Sequence, residues 1–209
     1  MMKRILNELN FFKVIENAEE KTQKKISSEI STSIGFANAL IKKFLKKGII
    51  KVKQAPYKRF IYYLTPDGFA NKIKLVKEYI DESLNFFRKI RKEFNEVIVK
   101  DNASGFYLYG AGEICEIAIL SLQEKEKKIV AIIDTNTKQK KYFNYNVIKK
   151  LPKNLGNKKI ILTSKDNAQE IYFDLTQKVD KSKVLVINSL YVSKKKPNFK
   201  PTTSYDKKK

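Results

Sequence analysis

The stretch from residue 31 to residue 50, STSIGFANALIKKFLKKGII, is the part of the sequence that most restricts the fold. Its apolar residues recur at the spacing of a helix with one buried face, and they are Ala37, Leu40, Ile41, Phe44 and Leu45. Ser33 is suited to cap the start of this helix, and Gly48 is suited to end it in a left-handed conformation. The stretch therefore predicts an amphipathic helix whose other face is open.

The segments around this helix complete a larger pattern. Residues 3–17 and 22–30 have helical apolar spacing, and IIKVKQ and RFIYYL alternate like two strands joined by a short turn. Two helices, a turn, a third helix and a hairpin form a winged helix-turn-helix, in which the third helix enters the major groove of DNA. We therefore assign residues 1–65 to a winged helix-turn-helix domain that binds double-stranded DNA.

The charge of this region agrees with a polyanionic partner. From residue 31 to residue 65 there are eight Lys or Arg residues and no Asp or Glu. Each phosphate that a cation neutralises adds affinity through counterion release. The predicted DNA-binding residues lie at the second helix, on the open face of the third helix and in the hairpin turn; they are Gln23, Ser33, Gly35, Phe36, Asn38, Ala39, Lys42, Lys43, Tyr57, Lys58 and Arg59. The alternative for the helix alone is a solvated face whose lysines contact only water.

Composition narrows the chemistry that the chain can perform. There is no histidine and only one cysteine, Cys115, which excludes histidine-dependent catalytic triads and argues against a metal site. We therefore predict a binding protein that is not an enzyme. The single cysteine and the lack of an apolar run of about 20 residues predict a cytoplasmic protein with no membrane partner.

The first 75 residues resemble a known family. TQKKISSEISTSIGFANALIKKFLKKGIIKV and the later YYLTPDGF are similar to MarR-type winged-helix regulators associated with bacterial exopolysaccharide gene clusters. The matching positions are Gln23, Ser33, Gly35, Asn38, Lys42, Gly48 and the run from residue 64 to residue 68. The resemblance implies a transcriptional regulator of polysaccharide biosynthesis genes. Phe36 departs from the polar or basic residue expected there, and it either contacts a thymine methyl group or packs inward.

A long helix is predicted over residues 66–98. Thr65 and Pro66 form a helix start, and an apolar stripe follows at close to heptad spacing; it consists of Ile73, Val76, Ile80, Phe87, Ile90, Phe94 and Val97. The stripe predicts a homodimer seam over residues 73–97. The alternative is that it packs on the protein's own second domain.

The pattern changes to strand, helix and strand in the second half, over residues 104–192. The strand ending at Tyr109 leads into the turn Gly110-Ala111-Gly112, and the next strand ends at Asp134. In such units the glycine turn holds a phosphate at the helix N-terminus, and the strand-end acid binds ribose. The predicted nucleotide-binding residues are Gly110, Ala111, Gly112, Glu113, Asp134 and Ser164. The third glycine of the fingerprint is replaced by Cys115, which leaves a Rossmann-like domain without a ligand as the alternative.

The segment IIDTNTKQKKYFNYNVIKKLPKNL resembles the nucleotide-sugar-binding half-domains of sugar acyltransferases and epimerase relatives. This resemblance implies a UDP-sugar effector, with NAD or coenzyme A as weaker candidates. The fold class predicted is an α+β winged helix-turn-helix, a long helix, a small α/β Rossmann-like domain and a disordered basic tail over 193–209. The function predicted is a nucleotide-sensing, DNA-binding regulator. The alternatives are a nucleotide-sugar modifying enzyme with an appended winged helix, and a winged-helix module that binds RNA or protein.

Overall fold

The computed structural model of the chain describes residues 2–16, 22–55 and 59–195. The chain forms two compact units, Met1–Phe86 and Phe87–Lys209. The boundary between them falls within one long helix, whereas the sequence predicted that helix as a separate segment over 66–98. The predicted tail from residue 196 onward lies outside the described residues.

The first unit follows the element order predicted for a winged helix. In chain order its elements are α1 (Met2–Glu16), α2 (Gln23–Glu29), α3 (Ile34–Lys46), β1 (Ile50–Ala55), β2 (Arg59–Leu64) and the start of α4 (Pro66–Val99). Strands β1 and β2 pair antiparallel, with Ile50 opposite Leu64. Phe11 and Phe12 of α1 are fully buried against Phe44 of α3, so the apolar faces of the helices meet in one core.

Side chains cap the starts of α2 and α3, and the cap of α3 is Ser33, as the sequence predicted. The Thr22 Oγ1 atom accepts a hydrogen bond from the Lys25 N–H, and Ser33 Oγ accepts one from the Phe36 N–H, each at 3.2 Å. Gly48 follows α3 with a φ of +67°, which confirms the left-handed helix end. These caps fix the short turn between the two helices.

A compact joint connects the end of the hairpin to the end of α3. The Thr65 hydroxyl donates to the Gly48 carbonyl oxygen at 2.7 Å and accepts from the Gly68 N–H at 3.1 Å. The Thr65 N–H donates to the Ile49 carbonyl oxygen at 3.1 Å. A Cβ atom added at Gly68 would overlap that same Ile49 oxygen. The joint therefore requires both the hydroxyl at Thr65 and the missing side chain at Gly68.

Helix α4 places the predicted apolar stripe in two different environments. In its first half Ile73 is 70% exposed and Ile80 is 50% exposed. In its second half Ile90 and Phe94 are fully buried in the core of the second unit. The second half of the stripe therefore packs on the protein's own second domain, which was the alternative prediction, and the first half is exposed to solvent. None of the helices that the structure describes is apolar over enough of its length to cross a membrane.

The second unit contains the predicted strand–helix–strand motif at the centre of a sheet with the order β5-β6-β4-β3-β7-β8. Its elements are β3 (Gly105–Tyr109), α5 (Glu113–Glu124), β4 (Ile129–Ile133), β5 (Lys141–Tyr142), β6 (Tyr145–Ile148), β7 (Lys158–Leu162), α6 (Ala168–Lys178) and β8 (Val184–Leu185). Strands β6, β4, β3, β7 and β8 are parallel. From β3 the chain continues to β4 on one side of β3 and later reaches β7 on its other side. Ligands bind in open parallel sheets at this point, where the strand order reverses.

Candidate nucleic-acid surface and ligand cavity

The open face of α3 presents five of the eleven predicted DNA-binding residues to solvent. Ser33, Gly35, Ala39 and Lys42 are exposed, and Phe36 is 38% exposed. Phe36 therefore faces outward, which is the arrangement in which an aromatic ring can contact a thymine methyl group. The small residues near the start of α3 leave room for a close approach to a DNA groove.

Three other predicted residues are paired with, or enclosed by, the rest of the protein. The Lys43 ammonium lies 2.6 Å from Oε1 of Glu8, a largely buried carboxylate, so its charge is already balanced. Asn38 is half-buried, and its Oδ1 atom is enclosed without a hydrogen-bond partner among the described residues. The Gln23 side chain lies close to the Tyr62 hydroxyl of β2; burial raises the pKa of that hydroxyl, and Gln23 lowers it by a smaller amount. These three side chains are less free to meet DNA than the sequence predicted.

The hairpin and the end of α3 add further cations. Lys46 and Lys47 are exposed at the end of α3, and Lys51 and Lys53 are exposed on β1. Tyr57 and Lys58 lie outside the described residues, as does the side chain of Arg59, so their role in a wing stays a prediction. The exposed cations on this segment have no carboxylate beside them in sequence from residue 31 to residue 65. Such a surface is suited to a polyanion.

A cavity of about 690 Å³ lies at the carboxyl edge of the second sheet. It contains all six predicted nucleotide-binding residues, from the glycine turn, the end of β4 and the end of β7. Gly110 has a φ of +106°, and a Cβ atom there would lie 2.8 Å from the Ser164 Cα. Gly112 has extended backbone and open space around it, so Gly110 is the glycine that this turn requires.

Asp134 holds the glycine turn in place. Its Oδ2 atom accepts a hydrogen bond from the Ala111 N–H at 2.8 Å, and its Oδ1 atom accepts from the N–H groups of Asn136 and Thr137 at 2.8 and 2.9 Å. Partial burial raises the pKa of Asp134, but these hydrogen bonds lower it by more, so the pKa lies below its ordinary value. The carboxylate is ionised at neutral pH and already accepts three hydrogen bonds from the protein.

The start of α5 carries a second carboxylate. Glu113 is the first residue of the helix and pairs with Lys165 at 3.0 Å. It therefore occupies the region of positive potential at the helix N-terminus that a diphosphate would otherwise use. Cys115 is fully buried, and burial raises the pKa of its thiol to about 12, so the third-glycine position is filled by a core residue.

The cavity is acidic although the chain as a whole carries a net charge of +22. Five of its lining residues are Asp or Glu, and two are Lys. Sequence reasoning missed three of the acids, which are Asp166, Glu170 and Asp174. The four-residue spacing of Glu170 and Asp174 on α6 was the signal that could have placed them on one helix face. Within the described part of the chain, no group of three His, Cys, Asp or Glu residues could hold a metal ion.

No protein-family model and no curated protein matches this chain. Among solved structures, the zinc-responsive MarR family member ZitR of Lactococcus lactis is 16% identical and aligns over 41% of this chain and 60% of its own, with a TM-score of 0.31. Streptococcus pneumoniae FabT in complex with DNA is 19% identical over 57% of this chain and 69% of its own, with a TM-score of 0.31. Human N-acetylserotonin methyltransferase in complex with SAM is 11% identical over 88% of this chain and 74% of its own, with a TM-score of 0.33.

Two predictions from the sequence are corrected by these similarities. The prediction that the chain is not an enzyme is contradicted by the alignment of 88% of the chain with a methyltransferase. The prediction of a UDP-sugar, NAD or coenzyme A ligand is contradicted as well: the aligned methyltransferase was solved with SAM, and the cavity of this chain has an acidic lining that does not suit an anionic ligand. Since the identities are below 20% and the TM-scores below 0.5, the function proposed for this chain rests on its own geometry.

Proposed function

We propose that the first unit binds double-stranded DNA through the open face of α3 and the β1–β2 hairpin, as the DNA-binding part of a cytoplasmic transcriptional regulator. The observation that carries this proposal is the set of exposed cations Lys42, Lys46, Lys47, Lys51 and Lys53, which belong to a segment, residues 31–65, that contains no Asp or Glu. Control of polysaccharide genes, which the family resemblance implies, stays a prediction.

Neutralising two cations of this surface tests the DNA-binding proposal. We expect Lys42→Gln with Lys46→Gln to weaken binding about tenfold or more, and to reduce the slope of log affinity against log salt by about 2, because each lost phosphate contact removes about 0.9 from that slope. Fluorescence anisotropy with a duplex from the region upstream of the protein's own gene measures both quantities, and footprinting measures site preference.

The matched control is Lys3→Gln with Lys13→Gln, two exposed lysines of α1. This pair removes the same charge and is expected to change the slope little. Equal effects of the two variants, or tighter binding to structured RNA than to duplex DNA, would overturn the proposal.

We further propose that the open first half of the α4 stripe is the homodimer seam. A dimer would present two copies of α3 to a two-fold operator. The second half of the predicted seam is not available for this role, because Ile90 and Phe94 are buried within the second unit.

The second candidate function is SAM-dependent methyl transfer by the second unit. The observation that favours it is the acidic lining of the cavity, since SAM carries a sulfonium and an ammonium group, whereas a nucleoside diphosphate is an anion. Two of the positions that a diphosphate would use are already occupied, because Asp134 binds the Ala111 N–H and Glu113 sits at the α5 N-terminus. Glu170 and Asp174 would hold the cationic end of the cofactor, which supplies a methyl group when bound.

Calorimetric titration of the full chain with SAM, S-adenosylhomocysteine and UDP-glucose tests this candidate. We expect SAM to bind most tightly, and Glu170→Gln with Asp174→Asn to weaken its binding about tenfold, as expected for two partly screened charge contacts. The matched control is Asp81→Asn with Glu126→Gln, two exposed acids outside the cavity. Tighter binding of UDP-glucose than of SAM, or no heat from any of the three compounds, would exclude SAM as the cofactor.

A further inference from the structure

A second concave surface of the second unit has the opposite charge to the acidic cavity. It is a groove of about 530 Å³ that is lined by the second half of α4 and by the residues that follow α4 and α5, which are Lys100 and Lys125. Its charged lining residues are Arg88, Arg91, Lys92, Lys100, Lys125 and Glu96. Arg91 is paired with Glu124, and the other cations outnumber the one carboxylate of the lining by four to one. This charge balance favours an anionic ligand.

The groove is part of an ordered helix face. Arg88, Arg91, Lys92, Asn95 and Val99 recur every three or four residues along α4, so they share one side of the helix. The opposite side of the same segment is fixed by the burial of Ile90 and Phe94 in the core. Packing therefore holds the cationic side of α4 toward solvent.

Arginine is concentrated in this groove. Only four of the 44 basic residues in the chain are arginine, and two of them, Arg88 and Arg91, line it. The Arg91 guanidinium is held by Glu124 of α5, which accepts hydrogen bonds from both its Nε and its Nη2, the former at 3.2 Å. Glu124 therefore balances the charge of Arg91, and the exposed lysines Lys92, Lys100 and Lys125 supply the cations for an anionic ligand.

The rest of the lining is suited to a ligand that is not only charged. Val99 is 60% exposed at the end of α4, and the lysine stems add apolar surface. Nucleic acid combines phosphates with apolar sugar faces, which match the cations and the apolar surface of the groove. A free inorganic anion offers only the first of these.

We propose that this groove binds the phosphodiester backbone of nucleic acid, as a contact site additional to α3 and the hairpin. The inference rests on the proposed DNA binding of the first unit, which supplies the polyanion. The groove then adds affinity that depends on salt but not on sequence. An acidic segment of a partner protein is the rival occupant that the experiment must separate from nucleic acid.

The test compares four full-length proteins on one labelled duplex over a range of salt concentrations. They are the wild type, the α3 variant Lys42→Gln with Lys46→Gln, a groove variant and a control variant. The groove variant carries Lys92→Gln, Lys100→Gln and Lys125→Gln, and the control carries Lys138→Gln, Lys140→Gln and Lys153→Gln, which are exposed lysines of the same unit outside the groove. Both triple variants lose the same charge.

We expect the groove variant to lower the salt slope by about 2 to 3, and the control to change it by less than about 1, since each phosphate contact contributes about 0.9. Site preference in footprinting is expected to be unchanged in the groove variant. A groove variant that behaves like the control while the α3 variant loses binding would overturn the groove proposal and leave the DNA-binding proposal standing. Absence of binding by the wild type would overturn both.

Discussion

Gly68→Ala is expected to destabilise the winged-helix unit by about 3 kcal/mol. Intrinsic helix propensity alone would favour alanine in the first turn of α4 by up to about 1 kcal/mol. The steric effect has the opposite sign and is larger, because the new Cβ atom would overlap the Ile49 carbonyl oxygen and lie 3.1 Å from Leu64 Cδ2. The backbone oxygen cannot move without breaking its hydrogen bond from the Thr65 N–H. Thermal unfolding followed by circular dichroism measures the loss.

Gly35→Ala is the matched control for this experiment. Gly35 also lies in the first turn of a helix, but a Cβ atom there meets nothing within 4 Å. We expect this variant to be as stable as the wild type or slightly more stable. Hydrogen exchange assigns the loss in Gly68→Ala to the first unit, since amides of the second unit should keep their protection. A Gly68→Ala protein that melts with the wild type would contradict the structure of the joint.

Replacement of Ile73 and Ile80 by glutamate is expected to weaken self-association at least about a hundredfold. Burial of each isoleucine side chain contributes about 1 kcal/mol or more per copy, and the new carboxylates would repel one another. The open part of the stripe consists of Ile73, Val76 and Ile80, and the exposed Phe69 and Leu84 extend it along α4. Their exposed fractions amount to roughly 400 Å² per copy, about half of what each partner of a stable complex buries. We therefore expect the wild type to show a concentration-dependent equilibrium of monomer and dimer in analytical ultracentrifugation.

The control for the seam is Leu6→Glu with Leu120→Glu, which places the same charges at apolar positions that are 41% and 45% exposed elsewhere. This variant should associate like the wild type. A wild type that stays monomeric at the highest concentration, or equal association by both variants, would show that α4 does not form the seam.

Much of the fold could be predicted because local patterns determine it. The buried stripe of α3, its Ser33 cap and its end before Gly48 were each specified within about fifteen residues of sequence. The strand–helix–strand motif was equally local, since the glycine turn and the two apolar strands are adjacent in the chain. Local sequence did not determine which surface covers the α4 stripe. Periodicity shows that a helix face is apolar, but it does not show which surface will cover that face.

The candidate sites were harder to predict for a related reason. Lys43 belongs to the outer face of its helix by spacing, but Glu8 reaches it from 35 positions away in the chain. The strand end correctly placed Asp134 beside the glycine turn, but the direction of the carboxylate depends on three backbone N–H groups that only the folded loop brings together. The negative charge of the cavity could not be predicted without knowing where α6 packs, because the acids of α6 lie more than 30 residues beyond Asp134 in the sequence.

The burial of Cys115 has a practical consequence for following this protein in solution. Its thiol is inaccessible and stays protonated at any pH used for maleimide coupling. Because the chain has no other cysteine, a cysteine introduced on β1 or on the surface of α6 would be the single reactive position for a dye or spin label. Two cysteines introduced in one unit would give the pair of labels needed to measure a distance there, without first removing the native residue.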